Sequence, residues 1–496
     1  MSEDATTFIP TFYSHRSILI TGGTGFLGKA LCEKLLRCCP DIKEVFLLIR
    51  SKKGLTINER LKKMLNNKIF DLLRSERPSS FDKIIPISGD VSTKDLGLLL
   101  EDRKMLSEKV SIIFHVAATV RFDESLKDAI FNNLRSTRDV CIFAKSMKNI
   151  VALLHVSSTY TQSDKPIVDD VLYPLEDVDW KQTIKIAETV DDEILKIFTA
   201  KYIGTMANTY VFTKRLAEEV INDFSKSLPC IILRPSIVVP SVNDPVPGWI
   251  DNFNGPIGML IGGGTGLLRV IYADSSITCD FIPVDIVIKA MIIVAWKRGI
   301  QNIFENNSLH IYNCSVNNMK TISIGKVMRA GFRAVYDIPF ERTLWKPQTI
   351  ITNSGLVYYI LVLVLHIVPA LLIDAVLKIL RLCPMLLKLQ RKIYISNRAV
   401  SFFLTHFWQF NNTNLINIFE NLSAANEKDF GYKNSVNFDT EEFIRRGIIG
   451  SKLYLLNEDM NRLEQVRRYR KRMDWLHESI KLLFVIMLCY ILYSRV

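Results

Sequence analysis

The stretch TGGTGFLGKA, Thr21 to Ala30, places four glycines within seven positions, directly after the apolar run SILI and directly before ALCEKLL. Gly22, Gly25 and Gly28 stand at G-x-x-G-x-x-G spacing. A strand that hands over to a helix through such a turn gains a sharp bend, a backbone that a pyrophosphate can approach, and close helix–strand packing. The helix N-terminus then presents unpaired N–H donors and its positive dipole end to phosphates.

Working outward, SILIT (Ser17 to Thr21), EVFLLIR (Glu44 to Arg50), KIIPISGD (Lys83 to Asp90), SIIFHVAA (Ser111 to Ala118), ALLHVSS (Ala152 to Ser158) and CIILRPS (Cys230 to Ser236) read as strands. They carry Val, Ile and Leu on both faces, as a parallel sheet covered on both sides requires. Between them lie helical patterns such as KALCEKLLRC and DAIFNNLRSTRDVCIFAKSM. This alternation predicts an α/β, Rossmann-type doubly wound sheet. From about Pro240 the pattern loosens into PVPGWIDNFNGPIGMLIGGGTG, the start of a substrate subdomain from about residue 235. A boundary is expected between Asn318 and Trp345, with a mainly helical region beyond.

At 496 residues the chain exceeds one ordinary domain. Its hydrophobic share of 48% is high for a soluble enzyme and raises the question of membrane contact. The net charge of +12 suits an anionic ligand or lipid surface. With no basic stripe interleaved with aromatics and no zinc-finger spacing, nucleic-acid binding is not expected. The nine cysteines are scattered without a C-x-x-C pair, so they read as reduced core residues in a cytosolic compartment, and no metal is called for. The N-terminus, MSEDATTFIPTFYSHR, lacks the basic-then-apolar pattern of a signal peptide.

Two segments are unusually apolar. GLVYYILVLVLHIVPALLI, Gly355 to Ile373, has no charged residue and just reaches bilayer length, although His366 and Pro369 interrupt it and Asp374 follows. A membrane-associated hairpin, a span and a buried helix all fit it. LLFVIMLCYILY, Leu482 to Tyr493, follows the basic RRYRKR and precedes only SRV. That order describes a C-terminal anchor with the enzyme on the cytosolic face, in preference to an apolar helix packed on the domain.

Around the glycine turn, Thr21, Gly22, Gly25, Phe26, Leu27 and Gly28 are the expected cofactor contacts. NAD sites usually close the second strand with Asp or Glu, yet here it ends LLIRSKKG. Arg50, with Lys52 and Lys53, therefore favours the 2′-phosphate of NADP over a ribose hydroxyl. Asp90 is placed to hold the adenine edge, and the small Ala117 and Ala118 leave room for a ribose.

Tyr210 and Lys214 form YVFTK, four apart on a helical pattern, so both side chains share one face. The ammonium is expected to favour the phenolate, lowering the tyrosine pKa so that it can protonate a carbonyl oxygen accepting hydride. Ser158, in HVSSTY, can hydrogen-bond the same oxygen, and Ser157 and Thr159 are neighbours able to exchange roles with it. Y-x-x-x-K alone recurs by chance. Together with an upstream glycine turn and a strand-end serine it points to short-chain-dehydrogenase chemistry, which the variant glycine spacing also favours.

TGGTGFLGKALCEKLL, LLIRSKKG followed by ERL, FHVAATVRFDE, LHVSSTY, YVFTK, ILRPSIV, PVPGWIDNFNGPIG and DFIPVDIV together resemble an alcohol-forming fatty acyl-CoA reductase. That family joins an extended short-chain dehydrogenase domain of the male-sterility type to a smaller C-terminal domain. The likeness continues through LWKPQ (Leu344 to Gln348), HIVPALLID and FWQFNNTN (Phe407 to Asn414), so it covers nearly the whole chain. It implies an NADP-binding region over residues 1–330, a C-terminal reductase region over 340–460 and an anchor over 461–496. It further implies reduction of a long-chain acyl-CoA by NADPH to an aldehyde and then a primary alcohol, with release of CoA. In that scheme Tyr210 donates the proton, Lys214 tunes it and orients the nicotinamide ribose, and Ser158 polarises the carbonyl. Where the family commonly reads HVSTAY this chain reads HVSSTY, which keeps a hydroxyl at the second position. Membrane attachment at the endoplasmic reticulum or peroxisome follows from the same likeness, with a homodimer among the open assemblies.

A sterol dehydrogenase or sugar-nucleotide epimerase would share the glycine turn, Ser158, Tyr210 and Lys214, but not PGWIDN or FWQFNN. A non-catalytic NADP or acyl-CoA scaffold is the reading from another class. His115 and His155, inside strands, read as core residues. Pro247 and Trp249 fit either an acyl-CoA entrance or a turn. GGGTG, Gly262 to Gly266, follows no strand and reads as a flexible loop.

Overall fold

The computed structural model describes residues 8–52, 54–301, 309–317 and 320–494; Lys53 lies outside them. Seven parallel strands form one sheet: β1 (Ser17–Thr21), β2 (Glu44–Ile49), β3 (Ile84–Ser88), β4 (Val110–His115), β5 (Ala152–Val156), β6 (Cys230–Pro235) and β7 (His310–Cys314). Their spatial order is β7-β6-β5-β4-β1-β2-β3. Every residue of β1, β4, β5 and β6 is buried, the signature of a sheet covered on both faces. Six strands fall where the apolar runs predict them. The seventh, HIYNC, escapes that reading because His310, Asn313 and Cys314 dilute its apolar run.

The strand order reverses between β1 and β4, where Thr21 is in register with His115. Ligands bind outside the carboxyl ends of strands at such a switch point. Helix α1 (Phe26–Cys38) leaves β1 there. Helix α2 spans residues 126–144 and contains a π-turn at Ile130–Arg135. Helix α3 (Thr209–Ser225) begins where the Asn208 side chain accepts from the Val211 N–H at 2.9 Å. Helix α4 (Val284–Ile300) is apolar nearly all round and is buried on all sides, as such a helix must be.

The chain forms two compact units that are interleaved in sequence. The first holds residues 1–246, 280–321 and 408–437; the second holds 247–279, 322–407 and 438–496. The physical reason for the interleaving is pairing: Gln409–Phe410 joins Ile167–Val168 as parallel strands, returning the chain to the first unit.

In the second unit Val270–Tyr272 pairs with Ile350–Thr352, and its helices are α5 (Ile324–Asp337), α6 (Gly355–Ile379), α7 (Leu386–Thr405), α8 (Thr440–Gly450) and α9 (Leu463–Tyr493). Among the described residues α6 is the one helix long and apolar enough to cross a bilayer. Trp249 is wholly buried. GGGTG is not a flexible loop. It ends the helix Pro256–Gly264, where a Cβ at Gly263 would lie 2.6 Å from Thr349 Oγ1 and one at Gly264 would lie 2.8 Å from the Phe340 ring.

Candidate active site

The glycine turn folds tightly against the end of β4. Gly22 has φ +76°, and a Cβ there would sit 2.7 Å from the Ala117 nitrogen. A Cβ at Gly28 would sit 2.3 Å from the Gly22 carbonyl oxygen. Both positions thus need bare backbone, the first for its conformation and the second for helix-on-turn packing. Gly25, at the N-terminus of α1, meets only the Gly22 oxygen at 3.1 Å and is exposed, so it borders open space. Phe26 and Leu27 open α1 beside it and are partly exposed. The turn thus leaves bare backbone beside the N-terminus of α1.

Thr21 is buried, and its hydroxyl is committed inward. It accepts from the Ala117 N–H at 3.3 Å and meets His115 Nδ1 at 2.7 Å. The hydroxyl donates to Nδ1, which leaves His115 Nε2 to donate to Thr137 Oγ1 at 3.2 Å. Burial, aided by the nearby Lys214 charge, pushes His115 down to about 3, so it is a neutral structural residue. His155 is equally buried, with its ring 5.3 Å from that of His115.

Arg50 and Asp90, expected to hold different parts of a cofactor, are paired with each other: Arg50 Nη1 lies 3.2 Å from Asp90 Oδ2. Burial pushes the Asp90 carboxyl up, but hydrogen bonds from Ser92 and Arg50 outweigh it and hold the group below its ordinary value. A second guanidinium joins them. Arg60 reaches the Arg50 carbonyl oxygen and, through Nη2, Thr24 Oγ1 of the glycine turn at 3.2 Å. Burial and the Arg50 charge lower the Arg60 pKa, a sign of two cations held close together. Lys52 is exposed and bridges Leu55 through its backbone. Arg60 lies on a helix ten residues past Arg50, and the quoted ERL is the one sequence signal that contains it. Ala117 and Ala118 follow β4 and are partly exposed.

On the other side of the switch point, β5 ends at Val156, and its carbonyl accepts from Lys214 Nζ at 2.6 Å. Tyr210, one turn earlier on α3, has its phenol beside the Ser158 hydroxyl, which favours the phenolate. Ser158 Oγ also accepts from the Tyr160 N–H at 3.3 Å. The flanking hydroxyls part company: Ser157 donates to Glu218 Oε1 at 2.5 Å, and Thr159 is wholly buried. Of the three candidate hydroxyls, the structure brings Ser158 to the tyrosine.

The expected lowering of the Tyr210 pKa meets a stronger opposing cause. Burial pushes the phenol up to about 12, partly offset by Ser158 and reinforced by Glu218. Burial likewise pushes Lys214 down to about 7 against the favourable charge of Glu218. Tyr210 is therefore a protonated phenol throughout the neutral range, poised as an acid.

Three supports keep this group in place. Glu218, two turns from Tyr210 on α3, forms a wholly buried pair with Arg234 of β6. Asn133, on the π-turn of α2, accepts from the Thr119 N–H at 2.9 Å and donates to Thr213 Oγ1 at 3.1 Å, tying the loop after β4 to α3. Tyr160 packs edge-on against Trp408 and Phe410, with ring centroids 5.4 and 5.0 Å apart. The FWQFNN stretch thus walls the loop that begins at Ser158, and Asn412 donates to the Ser315 carbonyl at 2.7 Å behind it.

Two family models match the chain, both described as "Male sterility protein": an NAD-binding model over residues 20–291 and a second over residues 365–458. Fatty acyl-CoA reductase 1 of Homo sapiens is 35% identical over 492 residues, covering 98% of this chain and 94% of that relative. Fatty acyl-CoA reductase 2 of Mus musculus is 35% identical over 476 residues, covering 95% and 90%. The fold is also that of the terminal R domain from the myxalamid biosynthetic pathway, with a TM-score of 0.57 and 17% identity over 90% of this chain and 93% of that one. The reductase domain of a Mycobacterium tuberculosis nonribosomal peptide synthetase has a TM-score of 0.56 at 17% identity, over 91% and 96%. With a glycine cradle, a Ser–Tyr–Lys group and near full-length likeness to named reductases, the chain belongs to the fatty acyl-CoA reductase family.

Proposed function

We propose that this chain reduces long-chain fatty acyl-CoA to a primary fatty alcohol in two NADPH-dependent steps, through an aldehyde and with release of CoA. The observation that carries the reading is the Ser158 hydroxyl beside the Tyr210 phenol, with Lys214 one helical turn away. The cofactor is a nicotinamide dinucleotide, which supplies hydride when bound. The cradle of Gly22, Gly25 and Gly28 with Phe26, Leu27 and the Thr21 backbone would hold its pyrophosphate, and Ala117 and Ala118 would border a ribose. Arg50 and Arg60, two cations facing one carboxylate, favour an added 2′-phosphate and hence NADPH. Lys52 lies on the same rim, and Asp90 holds Arg50 in place.

Ser158 and the Tyr210 phenol present two donors to one carbonyl oxygen, which carries negative charge as the thioester is reduced. Tyr210 gives that oxygen its proton. Tyr210 takes the hydroxyl proton back as the C–S bond of the hemithioacetal breaks and CoA leaves as thiolate, so the aldehyde meets the same two donors in the second reduction. Lys214, held by the Val156 carbonyl, orients the nicotinamide ribose and adjusts the acidity of Tyr210. The chain order of an NADP-binding region over 1–330, a reductase C-terminal region over 340–460 and an anchoring end over 461–496 belongs to the same reading. It places α9, whose Leu482, Leu483, Ile486 and Tyr490 are exposed, in an endoplasmic reticulum or peroxisomal membrane with the catalytic residues in the cytosol.

Purified full-length protein given a long-chain acyl-CoA and NADPH tests the proposal. Gas chromatography should find one alcohol formed for every two NADPH oxidised. NADPH binding without alcohol on any chain length, or turnover of a sterol instead, overturns it.

A further inference from the structure

The hairpin formed by α6 and α7 carries an apolar surface with no role in the site described above. One side of α6 is fixed to its own unit by Tyr358, Val362, His366 and Ala370, all buried. The fastening is polar. The Arg269 N–H donates to His366 Nε2 at 3.1 Å, His366 Nδ1 lies 2.7 Å from Gln390 Oε1, and Asn397 Nδ2 donates to the Val270 carbonyl at 3.0 Å. The other side presents Leu356, Ile360, Leu363, Leu371, Leu372 and Ile379 outward; Leu356, Leu372 and Ile379 are 74%, 64% and 79% exposed. A run of this size is too large for the scattered apolar residues of an ordinary surface.

The hairpin tip is closed by one carboxylate. Asp374 accepts from the backbone N–H groups of Met385, Leu386 and Leu387 at 3.0, 3.0 and 2.9 Å, capping α7. Helix α7 then carries Lys388, Arg391, Lys392 and Arg398 on exposed positions.

Connectivity decides how this surface can meet lipid. Residues 280–321 before the hairpin and 408–437 after it fold into the same compact unit. The chain between them must therefore cross a bilayer an even number of times. Two crossings would require α7 to span, and each Arg or Lys at the bilayer centre costs about 2.5–3.5 kcal/mol. With four cations on α7, zero crossings remains.

We infer that α6 and α7 form a monotopic membrane hairpin that docks on a single leaflet containing anionic lipids. The outward face of α6 enters the acyl region, and Lys378, Arg381, Lys388, Arg391 and Lys392, all exposed, meet lipid phosphates. This docking is independent of the proposed C-terminal anchor.

Full-length protein is bound to vesicles containing a phosphatidylcholine with a diazirine in its acyl chain, irradiated, digested and mapped by mass spectrometry. Adducts are expected on the outward residues between Leu356 and Ile379, several-fold more with phosphatidylserine present than without. Lys388→Glu, Arg391→Glu and Lys392→Glu together should remove that lipid dependence; NADPH binding checks that the variant folds, and the parent pattern decides if it does not. In a Cys489→Ser background, Cys383 at the tip should react with an impermeant maleimide added outside sealed vesicles. Adducts confined to residues 482–493 would overturn the hairpin while leaving the anchor standing. Reaction of Cys383 only after the lumen is opened would mean a crossing and overturn it too, as would cross-links showing a second copy over α6.

Discussion

The Arg234 guanidinium donates from Nε to Glu218 Oε1 at 2.8 Å and from Nη2 to Oε2 at 2.6 Å, with both side chains closed to water. The same carboxylate receives Ser157, beside the hydroxyl that meets Tyr210, and stands on the same helical stripe as Tyr210 and Lys214. A buried ion pair is thus wired into the loop after β5 through the residue next to Ser158.

Removing one partner of such a pair leaves the other charge buried and costs about 3–5 kcal/mol. Glu218→Gln and Arg234→Met should each lower unfolding stability by roughly that amount. The double variant, which buries neither charge, should recover part of it. Urea unfolding of the single and double variants measures this, and a Glu218→Gln protein as stable as the parent contradicts it.

Ser158→Ala and Ser157→Ala separate chemistry from support. Loss of Ser158 removes a donor to the reacting oxygen and should lower kcat about 10²-fold with NADPH affinity unchanged. Loss of Ser157 removes a contact to Glu218 and should act mainly on melting temperature. Tyr210→Phe should cost about 10²–10⁴-fold in kcat, again without loss of NADPH binding. Steady-state kinetics with cofactor titration distinguishes the three, and equal kcat losses in the two serine variants would place the reacting oxygen elsewhere.

Much of this site could be read in one dimension because its parts are local. The bend at Gly22, the strand ends at Val156 and Thr21, and the Tyr210–Lys214 spacing each need only a few neighbouring residues. What stayed hidden is held by distant partners. Nothing near Glu218 announces Arg234, and nothing near Arg50 announces Arg60 except the short ERL. The acidity of Tyr210 ran against expectation because burial, a property of the folded sheet, outweighs the nearby ammonium. The interleaving of the two units was equally hidden, since two-residue strands such as Gln409–Phe410 carry no periodic signal.

Arg60 should discriminate between cofactors. It reaches both the Arg50 carbonyl and Thr24 of the glycine turn, so in the proposed NADPH complex its loss removes a charge-assisted contact to the 2′-phosphate. Hydrogen bonds to charged groups contribute about 1.5–3 kcal/mol. Arg60→Ser should therefore raise the KM for NADPH about ten- to hundredfold and leave the KM for NADH nearly unchanged. A parallel rise in both would assign Arg60 to holding the fold instead.

Lys214 gives the chain a definite dependence on pH. Burial holds it at about 7 in the folded state, whereas an unfolded lysine titrates near 10.4. Between these values the unfolded chain binds more protons, so the cost of burying Lys214 is full below about 7 and fades as pH rises towards about 10. The stability of the parent relative to Lys214→Met should accordingly improve across that window, as followed by urea unfolding at successive pH values. The rate has a matching signature. Tyr210, at about 12, stays protonated throughout, so a fall in acyl-CoA reduction as pH passes about 7 belongs to Lys214 losing its charge. Lys214→Arg, which keeps its charge, should be slower but flat over the same range. An unchanged fall in that variant would assign the titration to another group.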